Sequence, residues 1–192
     1  TDEGGYLGQL MSDLSNTPYR SYKKWVFQGG TSTPFILTYG DKRKNRMEGQ
    51  VCRQPAHIID ILPTCMALGQ AVYPERFGHA DLPGRSLLPA AEGKPVEERT
   101  LYFEHQSSCG IIDGHWKLVK ANRNMQWELI DLDKDPFETN DLAGQYPEKV
   151  EELEAKWIEW ANTHKVFPLE NRTWTERINF YKQKNPDQRG EE

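Results

Sequence analysis

The sequence lacks the spacings and runs that define several classes of protein. Its cysteines, Cys52, Cys65 and Cys109, include no C-x-x-C pair, which argues against a zinc or redox site of that type. The net charge of -5 does not favour a nucleic-acid surface. No apolar run approaches the ~20 residues of a membrane span. The opening TDEGGYLG, which starts at Thr1, has no signal-peptide pattern and predicts a piece of a longer protein.

Familiar catalytic motifs are also missing. The 192 residues contain no G-x-S-x-G, no H-E-x-x-H and no phosphate-binding P-loop. Hydrophobic content is only 36%, but six Trp, eight Tyr and seven Phe offset it, because each large ring buries much area. We therefore expect a folded chain of one domain or slightly more, with no nucleophile evident from these patterns.

The first part of the chain is interrupted by many glycines and prolines. Residues 1–33 contain five glycines and are predicted to form loops. The segment PFILTYG, residues 34–40, is an apolar run bounded by proline and glycine, which predicts a buried strand. Residues 73–95 are rich in proline and glycine and are predicted to form a connecting arm.

Between these segments, the apolar spacing of residues 55–71 predicts a helix, with Pro63 as its first residue after a break. Cys65 falls in the apolar pattern and is expected in the core. His57 and Asp60 are three residues apart and within mutual reach. They could do acid-base or metal chemistry, but a capping or buried structural role is the favoured interpretation.

The second part of the chain has short aromatic and β-branched runs at regular spacing: RTLYFEHQ, CGIIDGHWKLVKA and QWELIDLD. These predict a small antiparallel sheet of three or four strands, with Asp113-Gly114 at a hairpin turn. Residues 146–164 predict a helix that begins at Pro147. Its apolar stripe would pack on the sheet, and it consists of Val150, Leu153, Trp157 and Trp160.

The best candidate for a ligand site precedes a glycine pair. Lys23 and Lys24 lie shortly before Gly29 and Gly30. A sulfate or phosphate needs fixed positive charge and N–H donors, and glycines let a backbone approach a ligand closely. The alternative is that both lysines are simply solvated, as loop lysines usually are.

Two further positions carry candidate chemistry. His105 follows Glu104 at the end of a predicted strand, where alternation puts the two side chains on opposite faces. It could reach a pocket or be structural. Asp2 and Glu3 precede two glycines and offer hard oxygen ligands that suit calcium, although carboxylates at a chain start are usually solvated.

Three blocks of the sequence together resemble the C-terminal portion of the sulfatase family, in its arylsulfatase-like branch. NTPYRSYKKWVFQGGTSTPFI resembles the family segment with a lysine six residues before E-G-G. HIIDILPTCMALG resembles its H-x-x-D-x-x-P-T helix, and GIIDGHWKLV…WELIDLDKDPFETNDLA resembles its closing sheet. The match covers residues 10–162. It departs from the family at Phe27, at Gln28 and in HQSS, where relatives have histidine, glutamate and HEGN.

The resemblance implies an α/β fold: the end of an alkaline-phosphatase-like core plus a small C-terminal α+β subdomain, with an antiparallel sheet packed on a helix. The corresponding expectation assigns residues 1–95 to the catalytic core, 96–165 to the subdomain and 166–192 to a tail.

The same resemblance implies sulfuric ester hydrolysis by a formylglycine made from Cys or Ser in C/S-x-P-x-R, with a calcium ion. Lys23 matches the lysine that contacts sulfate, with Lys24 as the fallback. His105 matches a residue at the pocket rim that could bind substrate. TDEGG could be the family's metal-binding D-N-G motif, with Asp2 as a ligand and Glu3 in place of asparagine, or a later glycine turn with the true ligands upstream, which is slightly favoured. No cysteine or serine of this sequence lies in C/S-x-P-x-R, so the nucleophile is expected upstream.

The partner implied is an aryl or carbohydrate sulfate ester, with no nucleic acid and no membrane span. A periplasmic, secreted or lysosomal-type compartment follows from the same likeness. Two alternatives stay open: a phosphatase or phosphonate hydrolase of the same fold, and a non-catalytic module that binds sulfated glycans.

Overall fold

The structure is a computed structural model that describes residues 16–38, 49–73 and 82–169, and positions 176, 179, 180 and 183. It contains two compact units. Among the described residues, one joins 16–33 to those from Arg99 onward, and the other lies within Pro34–Glu98. Residues 16–33 therefore group with the C-terminal sheet, whereas the resemblance assigned them to the core with 34–95. The assignment of 1–95 to a catalytic core stays a prediction.

Four helices lie wholly within the described residues, and a 3-10 turn at Ile58–Asp60 precedes the second. Among these residues, no helix combines the length and the apolar composition that crossing a bilayer requires. The helices are α1 (Gln28–Thr31), α2 (Ile61–Leu68), α3 (Leu88–Ala91) and α4 (Pro147–Thr163).

A four-stranded antiparallel sheet forms the centre of the first unit, in the order β1-β2-β3-β4. Each strand pairs with the next along the chain, as expected of short β-branched and aromatic runs separated by turns. The predicted sheet is thereby confirmed. Its strands are β1 (Leu101–His105), β2 (Ser108–Asp113), β3 (Trp116–Lys120) and β4 (Glu128–Asp131).

The turn between β2 and β3 is one residue later than the sequence indicated. Asp113 pairs with Trp116, so the central residues are Gly114 and His115, and Gly114 has a φ of 60°. Asp113 stays in the strand, where its carboxylate accepts a 2.6 Å hydrogen bond from Lys156 Nζ on α4. The hairpin itself was predicted correctly, because glycine supplies the positive φ that such turns need.

Helix α4 covers one face of the sheet. Pro147 takes its first turn, where the missing N–H costs nothing. Leu153, Trp157 and Ala161 are buried against the sheet, and Trp157 Nε1 donates a 3.1 Å hydrogen bond to the Phe103 carbonyl. The predicted helix and its apolar stripe are confirmed. The sheet residues on this face are Cys109, Ile111, Leu118 and Leu129.

The opposite face of the sheet is covered by residues 16–33. Val26 and Phe27 are buried there, against Val119 of β3 and Ile130 of β4. Apart from α1, this segment is irregular, as predicted. Because β-strand side chains alternate between faces, both sets of inward residues are buried and the sheet becomes the middle layer of its unit.

In the second unit, the predicted strand at 34–40 is wrong for the residues that are described. Positions 34–38 form no strand, and Phe35 and Ile36 are 52% and 86% exposed. No described strand pairs with this segment, so its backbone has no ladder of hydrogen bonds to hold it as a strand. Residues 39 and 40 lie outside the described part.

Two details of the predicted helix at 55–71 are also corrected. Helix α2 begins at Ile61, so Pro63 is its third residue rather than its first. Proline is tolerated there because first-turn N–H groups have no partner within a helix. Cys65 is exposed, and Thr64 is the buried residue of the helix, so the apolar pattern did not identify the packed side.

The packing of α4 on the sheet makes a direct prediction. Leu153→Ala removes a fully buried side chain and should lower the free energy of unfolding by about 2–5 kcal/mol. Ile158→Ala, on the same helix but 40% exposed, should change it by less than about 0.5 kcal/mol. Urea unfolding followed by far-UV circular dichroism measures both values. Equal losses would mean that the helix does not bury its Leu153 face.

Candidate functional site

Lys23 and Lys24 occupy the middle of a tight turn. The Trp25 N–H donates to the Tyr22 carbonyl at 2.8 Å, which closes residues 22–25 around the two lysines. Lys23 and Lys24 are the central residues of this turn, and Lys23 is exposed. Lys24 is half-buried, with its ammonium 5.1 Å from the centroid of the Trp25 ring. The turn therefore presents Lys23 outward and folds Lys24 back on an aromatic side chain.

The glycine pair packs against this turn. The Gly29 N–H donates to the Arg20 carbonyl at 2.8 Å. A Cβ on Gly29 would meet the backbone oxygens of Arg20 and Ser21, and one on Gly30 would meet that of Trp25. The sequence suggested that these glycines allow close approach to a ligand. The structure shows that they allow close approach of the chain's own carbonyls, which fixes the shape of the turn.

Arg20 anchors the start of this segment to β4. Its guanidinium binds both carboxylate oxygens of Glu128, at 2.5 and 3.1 Å, and lies 4.0 Å from the centroid of the Phe27 ring. Phe27 stands where relatives have histidine, and its burial under Arg20 gives that departure a packing role.

Two backbone N–H groups anchor the end of the segment. Val26 donates to Ser108 Oγ on β2 at 3.1 Å, and Gln28 donates to Glu138 Oε2 at 2.6 Å. The side chain of Gln28 stays local, since its Oε1 accepts from the hydroxyls of Thr31 and Ser32. The turn that carries Lys23 is thus held by side chains of the sheet unit on both sides.

Glu138 is itself held by a buried cation. Lys117 Nζ on β3 lies 2.7 Å from Glu138 Oε1, and both side chains are fully buried. The contact is an ion pair rather than a well-angled hydrogen bond. Burial lowers the pKa of the Lys117 ammonium, and the charge of Glu138 opposes that shift. The backbone of Glu138 has a φ of 59°, which residues other than glycine rarely adopt.

His105 lies on the face of the sheet that this segment covers. It ends β1 and pairs directly with Ser108, whose Oγ binds Val26. Directly opposite residues point to the same face, with Cβ atoms about 4.5–5.5 Å apart. His105 is exposed, and the pleat turns Glu104 to the opposite face, as predicted. The structure thereby brings His105 next to the segment that carries Lys23.

The HQSS sequence forms the β1–β2 hairpin turn. Gln106 and Ser107 have φ values of 52° and 66°, and the Ser107 N–H donates to Glu104 Oε1 at 2.8 Å. Ser108 Oγ donates to the Lys120 carbonyl at 3.3 Å. Both serines therefore hold the hairpin, which gives this departure from the family pattern a structural role. Whether it also alters a substrate contact stays a prediction.

The remaining candidates are structural or lie outside the described residues. His57 Nδ1 accepts from Ile59 N–H, and Asp60 Oδ2 accepts from His57 N–H, which is a capping box. The favoured interpretation of this pair is confirmed. Burial raises the pKa of the Cys109 thiol to about 12, so it is not a thiolate near neutral pH.

No calcium site is evident in the parts of the chain that the structure describes. Across these residues, no group of three or more His, Cys, Asp or Glu side chains could hold a metal ion. Asp2 and Glu3, the predicted ligands, lie outside them. The described residues therefore do not fit a calcium ion, and the roles of Lys23 and His105 are considered without one.

Comparison with protein families identifies the class. The family described as N-sulphoglucosamine sulphohydrolase, C-terminal, matches residues 19–165, which include the Lys23 turn, the whole sheet and α4. The chain therefore belongs to the sulfatase family, in its C-terminal part.

Individual relatives agree with this assignment. The chain is 28% identical to an N-acetylgalactosamine-6-O-sulfatase of Bacteroides thetaiotaomicron, over 79% of this chain and 32% of the relative. It is 26% identical to an arylsulfatase K of Xenopus laevis, over 79% of this chain and 34% of the relative. The chain thus spans about a third of the length of these curated relatives.

A solved structure supports the fold. The crystal structure titled Ps i-CgsB matches with a TM-score of 0.65 and 20% identity, over 91% of this chain and 38% of that chain. At this identity the likeness concerns the fold alone. It agrees with the expected α/β class, an alkaline-phosphatase-like architecture that ends in an antiparallel sheet and a helix.

The packing of Gly30 under the turn can be tested directly. Gly30→Ala places a Cβ against the Trp25 carbonyl, so the 22–25 turn must shift, and the free energy of unfolding should fall by about 1–3 kcal/mol. Gly144→Ala adds the same methyl group where nothing lies within 4 Å, and should change stability by less than about 0.5 kcal/mol. Urea unfolding curves measure both. No loss in Gly30→Ala would contradict the described turn.

Proposed function

We propose that this protein takes part in sulfuric ester hydrolysis and that Lys23 binds the sulfate group. The observation that carries the proposal is the match of the sulfatase C-terminal family to residues 19–165. Its support in the geometry is the turn at 22–25, which directs Lys23 outward from a segment anchored at Arg20, Val26 and Gln28.

The chemistry assigned to Lys23 is electrostatic. When a sulfate ester breaks, negative charge grows on the sulfate oxygens and the leaving oxygen. An ammonium held at fixed distance stabilises that charge more strongly than mobile water does, because it needs no reorganisation. The turn and its glycine pair fix the backbone that carries this ammonium. Lys24, stacked on Trp25, is the weaker candidate for this role.

His105 is proposed to contact the part of the substrate beyond the sulfate group. It is exposed and adjoins the segment that bears Lys23. The substrate class is a sulfate ester of a carbohydrate or an aryl group, and the N-acetylgalactosamine-6-O-sulfatase among the relatives favours a carbohydrate.

The resemblance to sulfatases further implies a formylglycine, a calcium ion and a periplasmic, secreted or lysosomal-type compartment. None of the three cysteines lies in C-x-P-x-R. The reaction is therefore expected to need a nucleophile beyond these 192 residues, and the proposed roles of Lys23 and His105 are binding and charge stabilisation.

A titration tests the sulfate site. In calorimetry with N-acetylgalactosamine 6-sulfate, Lys23→Gln should bind about tenfold more weakly than the unaltered chain, since one charge-assisted hydrogen bond contributes roughly 1.5–3 kcal/mol. Lys94→Gln makes the same change of charge at an exposed lysine of the other unit and should bind normally. The unsulfated sugar should give no heat. Equal affinity in both variants would remove Lys23 from the site.

The absence of a nucleophile makes a second prediction. The purified 192-residue chain should not hydrolyse 4-nitrophenyl sulfate, because it lacks C/S-x-P-x-R. A phosphonate ester and a phosphate ester assayed in parallel address the alternative hydrolases of the same fold. Turnover of any of these three esters that co-purifies with the chain would contradict the expectation that the nucleophile lies outside it. Binding of the sulfated sugar without turnover agrees with that expectation.

A further inference from the structure

The contact between Gln28 and Glu138 joins the proposed anion site to the interior of the sheet unit. Glu138 Oε2 accepts the Gln28 N–H at 2.6 Å, and Glu138 Oε1 faces Lys117 Nζ at 2.7 Å. Glu138 is 2% exposed. One carboxylate thus uses one oxygen for the segment that follows the Lys23 turn and the other for a buried cation of β3.

Stability alone does not account for this arrangement. Removing two charges from water is costly, and a well-packed apolar pair of similar volume is often as stable as a buried ion pair. Glu138 also has a positive φ, which is unfavourable for a residue with a side chain. The cost of burying a charge and the cost of a positive φ thus both concern Glu138, the residue that accepts the Gln28 N–H. What the pair provides is a carboxylate oxygen at a fixed place on the covered face of the sheet.

Fixing Gln28 fixes the turn before it. Gln28 begins α1, and the two glycines that follow it pack against the carbonyls of Arg20, Ser21 and Trp25. The anchor at the other end, Arg20 with Glu128, is partly exposed. The acceptor at the Gln28 end is a carboxylate whose side chain is fully buried, so it is the less exposed of the two anchoring groups.

We propose that Glu138, oriented by Lys117, is a positioning residue that holds the 22–25 turn in the geometry that presents Lys23. The identity of the ligand at Lys23 rests on the proposed function, whereas the positioning of the turn does not. Two readouts separate them: hydrogen exchange of the turn and affinity for a sulfated sugar.

The test compares two variants of the full 192-residue chain that both lack the buried charges. In K117Q/E138Q, residue 138 keeps an oxygen that can accept the Gln28 N–H, and residue 117 can accept from the new amide. In K117M/E138L, the volume is filled but no acceptor remains. Amide exchange of Trp25 and Gly29 should be at least tenfold faster in K117M/E138L than in K117Q/E138Q, because their N–H groups bond within the anchored segment. Exchange in α4, around Leu153 and Trp157, should be equal in both.

A single substitution gives a second test if K117M/E138L does not fold. Gln28→Pro removes the N–H that Glu138 accepts, together with the side-chain Oε1 that accepts from Thr31 and Ser32, so Gln28→Ala, which loses only that Oε1, is its control. Proline suits the first position of α1, and Phe27 before it has extended backbone, φ -68° and ψ 166°. Exchange at Trp25 should accelerate as in K117M/E138L.

The outcomes are distinct. Equal exchange at Trp25 and Gly29 in all variants overturns the positioning role. Fast exchange in K117M/E138L and Gln28→Pro, with rescue in K117Q/E138Q, supports it. In titrations with N-acetylgalactosamine 6-sulfate, the affinity should fall about fivefold in K117M/E138L and recover in K117Q/E138Q. If the unaltered chain binds no sulfated sugar, the proposed function fails while exchange still decides the positioning role.

Discussion

A sheet that is buried on both faces is the constraint on which the rest of the first unit depends. Strand side chains alternate, so the residues that face α4 and those that face 16–33 interleave along every strand. No strand can shift its pairing by one residue without exchanging the side chains of its two faces. The position of the irregular segment is thereby tied to the register of β1–β4. A loop with little regular structure acquires a defined place because the sheet beneath it has one.

Several recognisable sequence blocks of the family supply polar residues that hold the structure together. In W-K-L-V, Lys117 is the buried partner of Glu138, which comes from the D-P-x-E block. In H-x-x-D-x-x-P-T, Asp60 and Thr64 bind the backbone of the loop at 85–87. These polar residues are internal supports. Lys23 is different, because it is an exposed residue in the middle of a turn.

Local patterns predicted the parts of the fold that local forces determine. The hairpin at Gly114 and the stripe of α4 follow from conformational freedom and helical spacing. The strand at 34–40 failed because an apolar run predicts burial only where a neighbour exists to cover it. The Lys117–Glu138 pair escaped detection because its members are 21 positions apart and meet through strand order rather than periodicity. The one signal of this pair in the sequence was that Lys117 lies among the apolar residues of W-K-L-V, where a strand is expected to be buried.

The same reasoning explains why a lysine on a loop can serve as a ligand for an oxyanion. A solvated lysine samples many rotamers, and ordering it on binding opposes affinity. The structure reduces the backbone part of that cost before any ligand arrives: glycines pack under the turn, Arg20 ties one end to Glu128, and Glu138 ties the other. The proposed role of Lys23 thus depends on a backbone that a buried charge holds in place.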